Sequence, residues 1–189
     1  MVERDELLIL RAQKGDAGAF ETLMAQYEKK IFNVALRTMR NREDAADMAQ
    51  DAIVKIYRNL ASFKGDCSFG AWAYRITLNT CLDELRRQKK RPAVSFDDMT
   101  EEGKMQFEDN GEKPEESLER KELASVINAA IASLETDYRV AVTLRDVQGL
   151  SYQEIADATR TSLGTVKSRI NRARAQLQKK LLPYRERFQ

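Results

Sequence analysis

An all-α fold is what the sequence predicts: two small helical domains joined by a flexible acidic linker, the second carrying a helix-turn-helix. Three observations predict it. The 189 residues include only 8 glycines and 3 prolines, too few punctuators for a turn-rich β protein. Apolar residues recur every three to four positions through most of the chain, the period of an amphipathic helix. Charge is unevenly placed: residues 1–96 carry 17 basic and 13 acidic groups, 97–117 carry 2 and 9, and 118–189 carry 13 and 8, so a formal net charge of +2 hides two basic bodies around an acidic tether.

The elements follow in order. Asp5 to Lys14 reads as a short leading helix. Residues 16–40 place Phe20, Leu23, Tyr27, Ile31, Val34 and Ala35 at helical spacing behind Asp16, a start cap. Residues 42–62 repeat the pattern with Ala45, Met48, Ala52, Ile56 and Leu60, and Phe63 to Ser68 reads as a turn before a helix from Phe69 to Lys90. Residues 92–117 hold two prolines, two glycines and most of the acid with no apolar period, and read as the linker. That gives domains at 1–91 and 118–189. The tether's charge either only keeps it solvated or matches a positive channel in a partner.

Beyond it, Ser117 with Arg120 to Leu134 forms one helix and Asp137 to Gln148 another, stopped by Gly149. Ser151 followed three residues later by Glu154 is a capping box that opens a short helix to about Thr159. Thr161 or Ser162 caps a last helix to about Leu181, where Pro183 stops it.

Composition closes off much of enzymology. There is no histidine, which removes the commonest general base and every His-liganded metal. The two cysteines, Cys67 and Cys81, form no CxxC pattern, so neither a zinc ribbon nor a disulfide scaffold is expected, and a reducing cytoplasm fits. No cofactor, metal site or catalytic residue is expected. The charged start and the short apolar run Leu7 to Leu10 do not make a signal peptide, and no stretch approaches the roughly 20 apolar residues of a membrane span.

In the last helix Val166, Ile170, Ala173, Leu177 and Leu181 form one apolar stripe. Lys167, Ser168, Asn171, Arg172 and Arg174 project away from it, and Arg160 to Gln189 holds nine basic residues against one acid, Glu186. A helix in a major groove needs such side chains: Arg or Lys for guanine and phosphate, Asn for adenine, Ser for either. A basic helix can also merely face water; the capped helix and tight turn before it favour DNA.

The string Gly149-Leu150-Ser151-Tyr152-Gln153-Glu154-Ile155-Ala156, followed by Gly164-Thr165-Val166-Lys167-Ser168-Arg169-Ile170-Asn171-Arg172-Ala173-Arg174, closely resembles region 4 of sigma-70 family initiation factors, of the small extracytoplasmic-function group. The first half tests this independently. Asp47-Met48-Ala49-Gln50-Asp51-Ala52 is similar to the DxxQE-type stretch of sigma region 2, with Asp51 where glutamate is more usual. Asp44, Asp47 and Asp51, spaced three and four apart, share one helix face opposite the Met48, Ala52 and Ile56 stripe. Phe69 to Asn79 is similar to the family's promoter-melting segment, WxxRIAxN in outline. Here Arg75, Asn79, Asp83, Arg86 and Lys90 line one face, and a pocket between the Gly65 to Gly70 loop and Asn79 would take one flipped base. Trp72, at helical spacing from Phe69 and Ile76, reads as core. The run Arg86 to Arg91 exceeds what a helix dipole needs and suits duplex DNA.

The resemblance implies that Asp44, Asp47, Gln50 and Asp51 dock on the largest subunits of core RNA polymerase. It implies that Cys67, Ser68, Arg75, Asn79, Arg86 and Arg87 read a minus-10 element, and that Thr165, Lys167, Ser168, Arg169, Asn171, Arg172 and Arg174 read a minus-35 element. Region 3 is absent, so the linker would thread toward the polymerase cleft, and an anti-sigma factor is an expected partner. Two rivals remain at this point: a conventional helix-turn-helix regulator that is not a polymerase subunit, and a recombinase or nuclease. The second lacks a nucleophile with a base or a clustered metal site.

Overall fold

The computed structural model describes residues 2–90 and 118–187; the assigned linker, 92–117, lies outside them. Among the described residues the elements are all helical: α1 (Val2–Gln13), α2 (Ala17–Ala25), α3 (Glu28–Met39), α4 (Arg42–Asn59), α5 (Phe69–Lys90), α6 (Leu118–Ala132), α7 (Thr136–Val142), α8 (Tyr152–Thr159) and α9 (Leu163–Leu181). Helix α5 has the bounds its sequence pattern predicts, and a single 3-10 turn, Leu60–Ser62, leads from α4 toward it.

Local chemistry sets the starts. The Asp16 carboxylate accepts the Ala19 N–H at 3.0 Å, and Arg11 clasps it from the preceding helix at 2.7 Å; that backbone bond and then Arg11 hold its carboxyl below the usual range. Asn41 caps α4 by accepting from the N–H groups of Glu43 (2.8 Å) and Asp44 (3.0 Å).

Two elements differ from the periodic reading. Residues 16–40 form two helices, not one run, with a break at Gln26 and Tyr27. There the N–H groups bond back only three residues, to Leu23 (3.2 Å) and Met24 (2.9 Å). Tyr27 is fixed at the corner: its ring packs edge-on to Phe69 at 5.1 Å and its hydroxyl donates to Asp5 at 2.7 Å, so α3 leaves in a new direction. The helix expected from Asp137 to Gln148 is α-helical only to Val142. Residues Thr143–Val147 form a π turn, in which Gln148 N–H reaches Thr143 C=O at 3.0 Å. The widened turn ends at Gly149, whose φ of 76° a side chain would resist, while Arg145 donates to Leu150 C=O at 2.7 Å and lies over the Tyr152 ring.

Leu23, Ile31, Leu36, Ile56 and Leu78 are fully buried where α2 to α5 meet. In the second half Leu134, Val142, Ile155, Val166 and Ile170 are fully buried. At about 25 cal/mol per Å² of apolar surface, such side chains are the main stabilising term in each half.

The halves also pack on each other. Helix α8 lies against α5 and α7 against α3, and one apolar cluster runs from Leu78 and Cys81 on one side to Leu144, Ile155 and Val166 on the other. Polar contacts close the seam. Arg139, 2% exposed, donates to the carbonyls of Arg37 and Thr38, which the end of α3 leaves without helical partners. The same guanidinium holds the α6–α7 turn, Nη1 donating to Leu134 C=O (2.5 Å) and Ala132 C=O (3.3 Å) and Nη2 also to the Thr136 hydroxyl (3.2 Å). Arg37 in turn donates to Asn128 Oδ1 on α6 at 2.7 Å.

Candidate nucleic-acid interface

The first face is built on α5. Ser68 caps it, accepting the Ala71 N–H at 3.2 Å, and the turn before it uses Gly65 at a φ of 81°. Phe63, Phe69 and Trp72 interlock beneath the turn, with centroids 5.2 to 5.8 Å apart. Trp72 is only 6% exposed, a core residue as expected. Gly70 lets α5 approach the α2–α3 corner closely: a Cβ there would lie 3.2 Å from the Tyr27 ring.

Above this base Cys67, Arg75 and Asn79 are half-buried and Ser68 is exposed. Burial pushes the Cys67 thiol up; Arg75 offsets part of the rise, while Glu154, Asp66 and Asp157 add to it, so the thiol stays protonated and a poor nucleophile at neutral pH. Cys81, deep in the core, is pushed up to about 12 by burial. Farther along, Arg86 pairs with Asp83 at 2.7 Å and Arg87 with Glu84 at 2.8 Å. Both arginines are well exposed, and such pairs are worth at most about 1 kcal/mol in water, so a phosphate can displace the carboxylates.

The second face is a helix-turn-helix. The capping box is complete: Ser151 Oγ accepts the Glu154 N–H at 3.2 Å and Glu154 Oε2 accepts the Ser151 N–H at 2.8 Å. Burial would raise the Glu154 carboxyl, but hydrogen bonds from Ser151 and Ser68 outweigh it and hold it below its ordinary value. Arg160, at φ 54°, ends α8, and Ser162 caps α9 by accepting the Thr165 N–H at 3.1 Å.

On α9, Val166, Ile170 and Ala173 are buried and Leu177 and Leu181 partly so, as the stripe predicts. The polar side chains split into two sets. Lys167, Ser168 and Asn171 are exposed on the outer side, with Ser168 donating to Thr165 C=O at 2.9 Å, and Thr165 is half-buried behind them. Arg169 is drawn to Asp137, Arg174 to both oxygens of Asp146 (3.0 and 2.5 Å), and Arg172 to the Tyr138 hydroxyl at 3.4 Å. The acids Asp137 and Asp146 escape sequence reasoning because they lie about thirty residues upstream, and only the packing that sets α7 and the π turn after it beside α9 brings them in.

The acidic face lies on α4. Asp47, Gln50 and Asp51 are exposed and Asp44 is half-buried. Gln50 also edges a cleft of about 390 Å³ between α3 and α4, walled by Phe32, Ala46, Ala49 and Ile53.

Fold and faces together define an all-helical, two-module protein with a helix-turn-helix and no membrane-crossing helix among the described residues. Comparison with known proteins makes this specific. Residues 23–91 match the family described as sigma-70 region 2, and residues 125–177 the one described as sigma-70, region 4. The chain is 39% identical over 186 residues to the RNA polymerase sigma-H factor of Pseudomonas aeruginosa, covering 96% of this chain and 95% of that one. It is 40% identical over 184 residues to the ECF RNA polymerase sigma-E factor of Escherichia coli, covering 95% of each. Among solved structures it is similar to CnrH in complex with the cytosolic domain of CnrY, at 29% identity and a TM-score of 0.65, covering 94% of this chain and 97% of that one. The fold also matches a Bartonella quintana sigma factor solved with an anti-sigma factor, at 23% identity and a TM-score of 0.66, covering 86% and 96%. The chain belongs to the sigma-70 family, in its extracytoplasmic-function group. It is thus a non-catalytic transcription initiation factor, and the stand-alone regulator and the nuclease are set aside.

Proposed function

We propose that the chain binds core RNA polymerase through Asp44, Asp47, Gln50 and Asp51, and reads promoters with two separate faces. In this reading Cys67, Ser68, Arg75 and Asn79 capture an unstacked base of the minus-10 element, and Arg86 and Arg87 hold phosphates beside it. Lys167, Ser168 and Asn171 meet the minus-35 element, with Thr165, Arg169, Arg172 and Arg174 around them. The observation that carries this is the capped, outward Lys167-Ser168-Asn171 edge of α9, on the second helix of a helix-turn-helix.

The work is done by binding energy. Each face alone holds DNA weakly, and a polymerase that fixes their separation makes the second contact occur at high effective concentration. Holding flipped bases offsets a duplex-opening cost of roughly 1.4 kcal/mol per base-pair step. We extend the proposal to domains at 1–91 and 118–189, to an acidic linker running toward the polymerase cleft, to an anti-sigma partner like those of the similar structures, and to action in the cytoplasm. Size-exclusion chromatography of chain plus core polymerase tests the docking face. Asp47→Lys with Asp51→Lys should run apart from the enzyme, and normal co-elution would refute that face.

A further inference from the structure

Helix α9 keeps its uncompensated charge on one side. At about 100° of rotation per residue, Arg169 and Arg174 lie about 70° to either side of the buried Val166, Ile170 and Ala173 stripe, and Lys167, Ser168, Asn171 and Arg172 lie on the far side. Each flank arginine meets a carboxylate. Arg169 pairs with Asp137 in the first turn of α7, and Arg174 with both oxygens of Asp146 at 3.0 and 2.5 Å. Asp146 lies inside the π turn, an irregularity that tends to mark functional sites. The outer cations are treated differently. Arg172 leans on the Tyr138 hydroxyl, which brings no countercharge, and among the described residues no carboxylate pairs with Lys167 or Arg172.

That division matters for a helix seated in DNA. In a major groove about 12 Å wide the outer side of such a helix meets base edges, while its two flanks meet the two phosphate backbones. The flank arginines therefore stand where sequence-independent attraction is strongest, yet each is already matched by an acid. These pairs are less exposed than the Arg86 pair on α5: the Arg169 side chain is 24% exposed and that of Asp146 35%, and Asp146 grips its arginine with both oxygens. Both aspartates belong to α7 and the turn after it, so their charge stays beside the groove even when a guanidinium turns to DNA, and a phosphate there meets like charge.

We infer that Asp137 and Asp146 are specificity-determining residues: by neutralising the two flank arginines they hold down binding to arbitrary DNA and leave discrimination to the outer edge of Lys167, Ser168 and Asn171. The inference rests on the proposed minus-35 reading of α9 and deepens it, by giving the acids beside that helix a part in promoter choice. Non-specific binding is almost wholly electrostatic, so it gains most when a guanidinium is released. A matched complex gains less, because base contacts fix its register and the arginines cannot shift to the best phosphate.

The test uses holoenzyme and two fluorescent duplexes, one carrying the upstream element of a promoter mapped with that holoenzyme and one with the element scrambled. Asp137→Asn and Asp146→Asn keep the shape and remove the charge. Glu135→Gln, at an exposed acid just before α7 with no ion pair among the described residues, controls for charge alone. Folding is checked by circular dichroism and assembly by co-elution with core polymerase. The double Asp variant should bind the scrambled duplex about tenfold more tightly at about 100 mM salt and steepen the double-logarithmic salt slope by about 1.8, or about 0.9 for each arginine. The matched duplex should tighten by no more than about threefold, and Glu135→Gln should move neither constant. An unchanged slope and scrambled affinity in the folded double variant would overturn the inference. So would equal gains on the two duplexes, or a Glu135→Gln effect as large as that of Asp137→Asn. Weaker matched binding with scrambled binding unchanged would also overturn it, since the acids would then orient the arginines rather than withhold them. A holoenzyme with Lys167→Ala and Asn171→Ala that keeps the parent's preference for the matched duplex would instead sink the minus-35 reading beneath it.

Discussion

Arg139 is a demanding point of the structure because one buried cation ties together groups from both halves. Replacing it by methionine keeps much of the volume and removes every donor. The carbonyls of Arg37, Thr38 and Leu134 then lose charged partners inside the protein, the Arg37 and Leu134 bonds being short and the Thr38 bond long at 3.4 Å. Hydrogen bonds to charged groups contribute about 1.5–3 kcal/mol each, and relief of the buried charge returns part of that. A net loss of about 3 kcal/mol follows, or roughly 6–12 °C in Tm for a chain of this size. Burial pulls the guanidinium's pKa down to about 10, so it stays protonated at neutral pH and the full effect is expected there. Arg139→Lys, with one ammonium for acceptors spread over two helices, should recover less than half. The assay is thermal unfolding followed at 222 nm, supported by urea titration. A Met variant melting within about 2 °C of the parent would refute the reasoning, because a buried cation that can be deleted at so little cost was not holding those carbonyls.

Other predictions follow from the proposed faces. Asn79→Ala should lower open-complex formation, read by permanganate footprinting, while leaving co-elution with core polymerase intact. Lys167→Ala should weaken binding to upstream promoter DNA by about 1–3 kcal/mol if a base edge is read, or flatten the salt slope by about one if only a phosphate is touched; filter binding at several salt concentrations separates these. With no histidine in the chain, stability should be flat between about pH 5 and 8. Glu154 and Asp16 have folded pKa values below their ordinary ones, so their contribution is present above the unfolded pKa and is lost as pH falls through the folded one. Urea midpoints should therefore drop only below about pH 4.5, and a fall already at pH 6 would contradict this.

Much of the fold is legible in the sequence because helices announce themselves locally. The Ser151 and Glu154 box, the Asp16 and Ser162 caps and the Gly149 stop are near-neighbour chemistry, and each sits in the structure where the residues place it. The break at Gln26–Tyr27 is not legible, since Leu23, Tyr27 and Ile31 keep helical spacing across it and neither Gly nor Pro marks it; what turns the chain there is Phe69, more than forty residues away. The π turn at Thr143–Val147 is similarly silent. On α9 the sequence identifies the basic edge but not its division, because Asp137 and Asp146 reach Arg169 and Arg174 only through packing. The seam is illegible for the same reason: Arg139 reads as any other solvated charge, and the capping role the sequence shows for Glu154 says nothing of its bond to Ser68.

This chain gives promoter choice to an enzyme whose chemistry it does not share. The most direct measurement is to add the purified chain to sigma-free core polymerase on genomic DNA and map the 5′ ends of the transcripts. A new set of start sites sharing upstream elements at a fixed spacing, absent without the chain, is the expected result. Identical start sites with and without it would contradict the account.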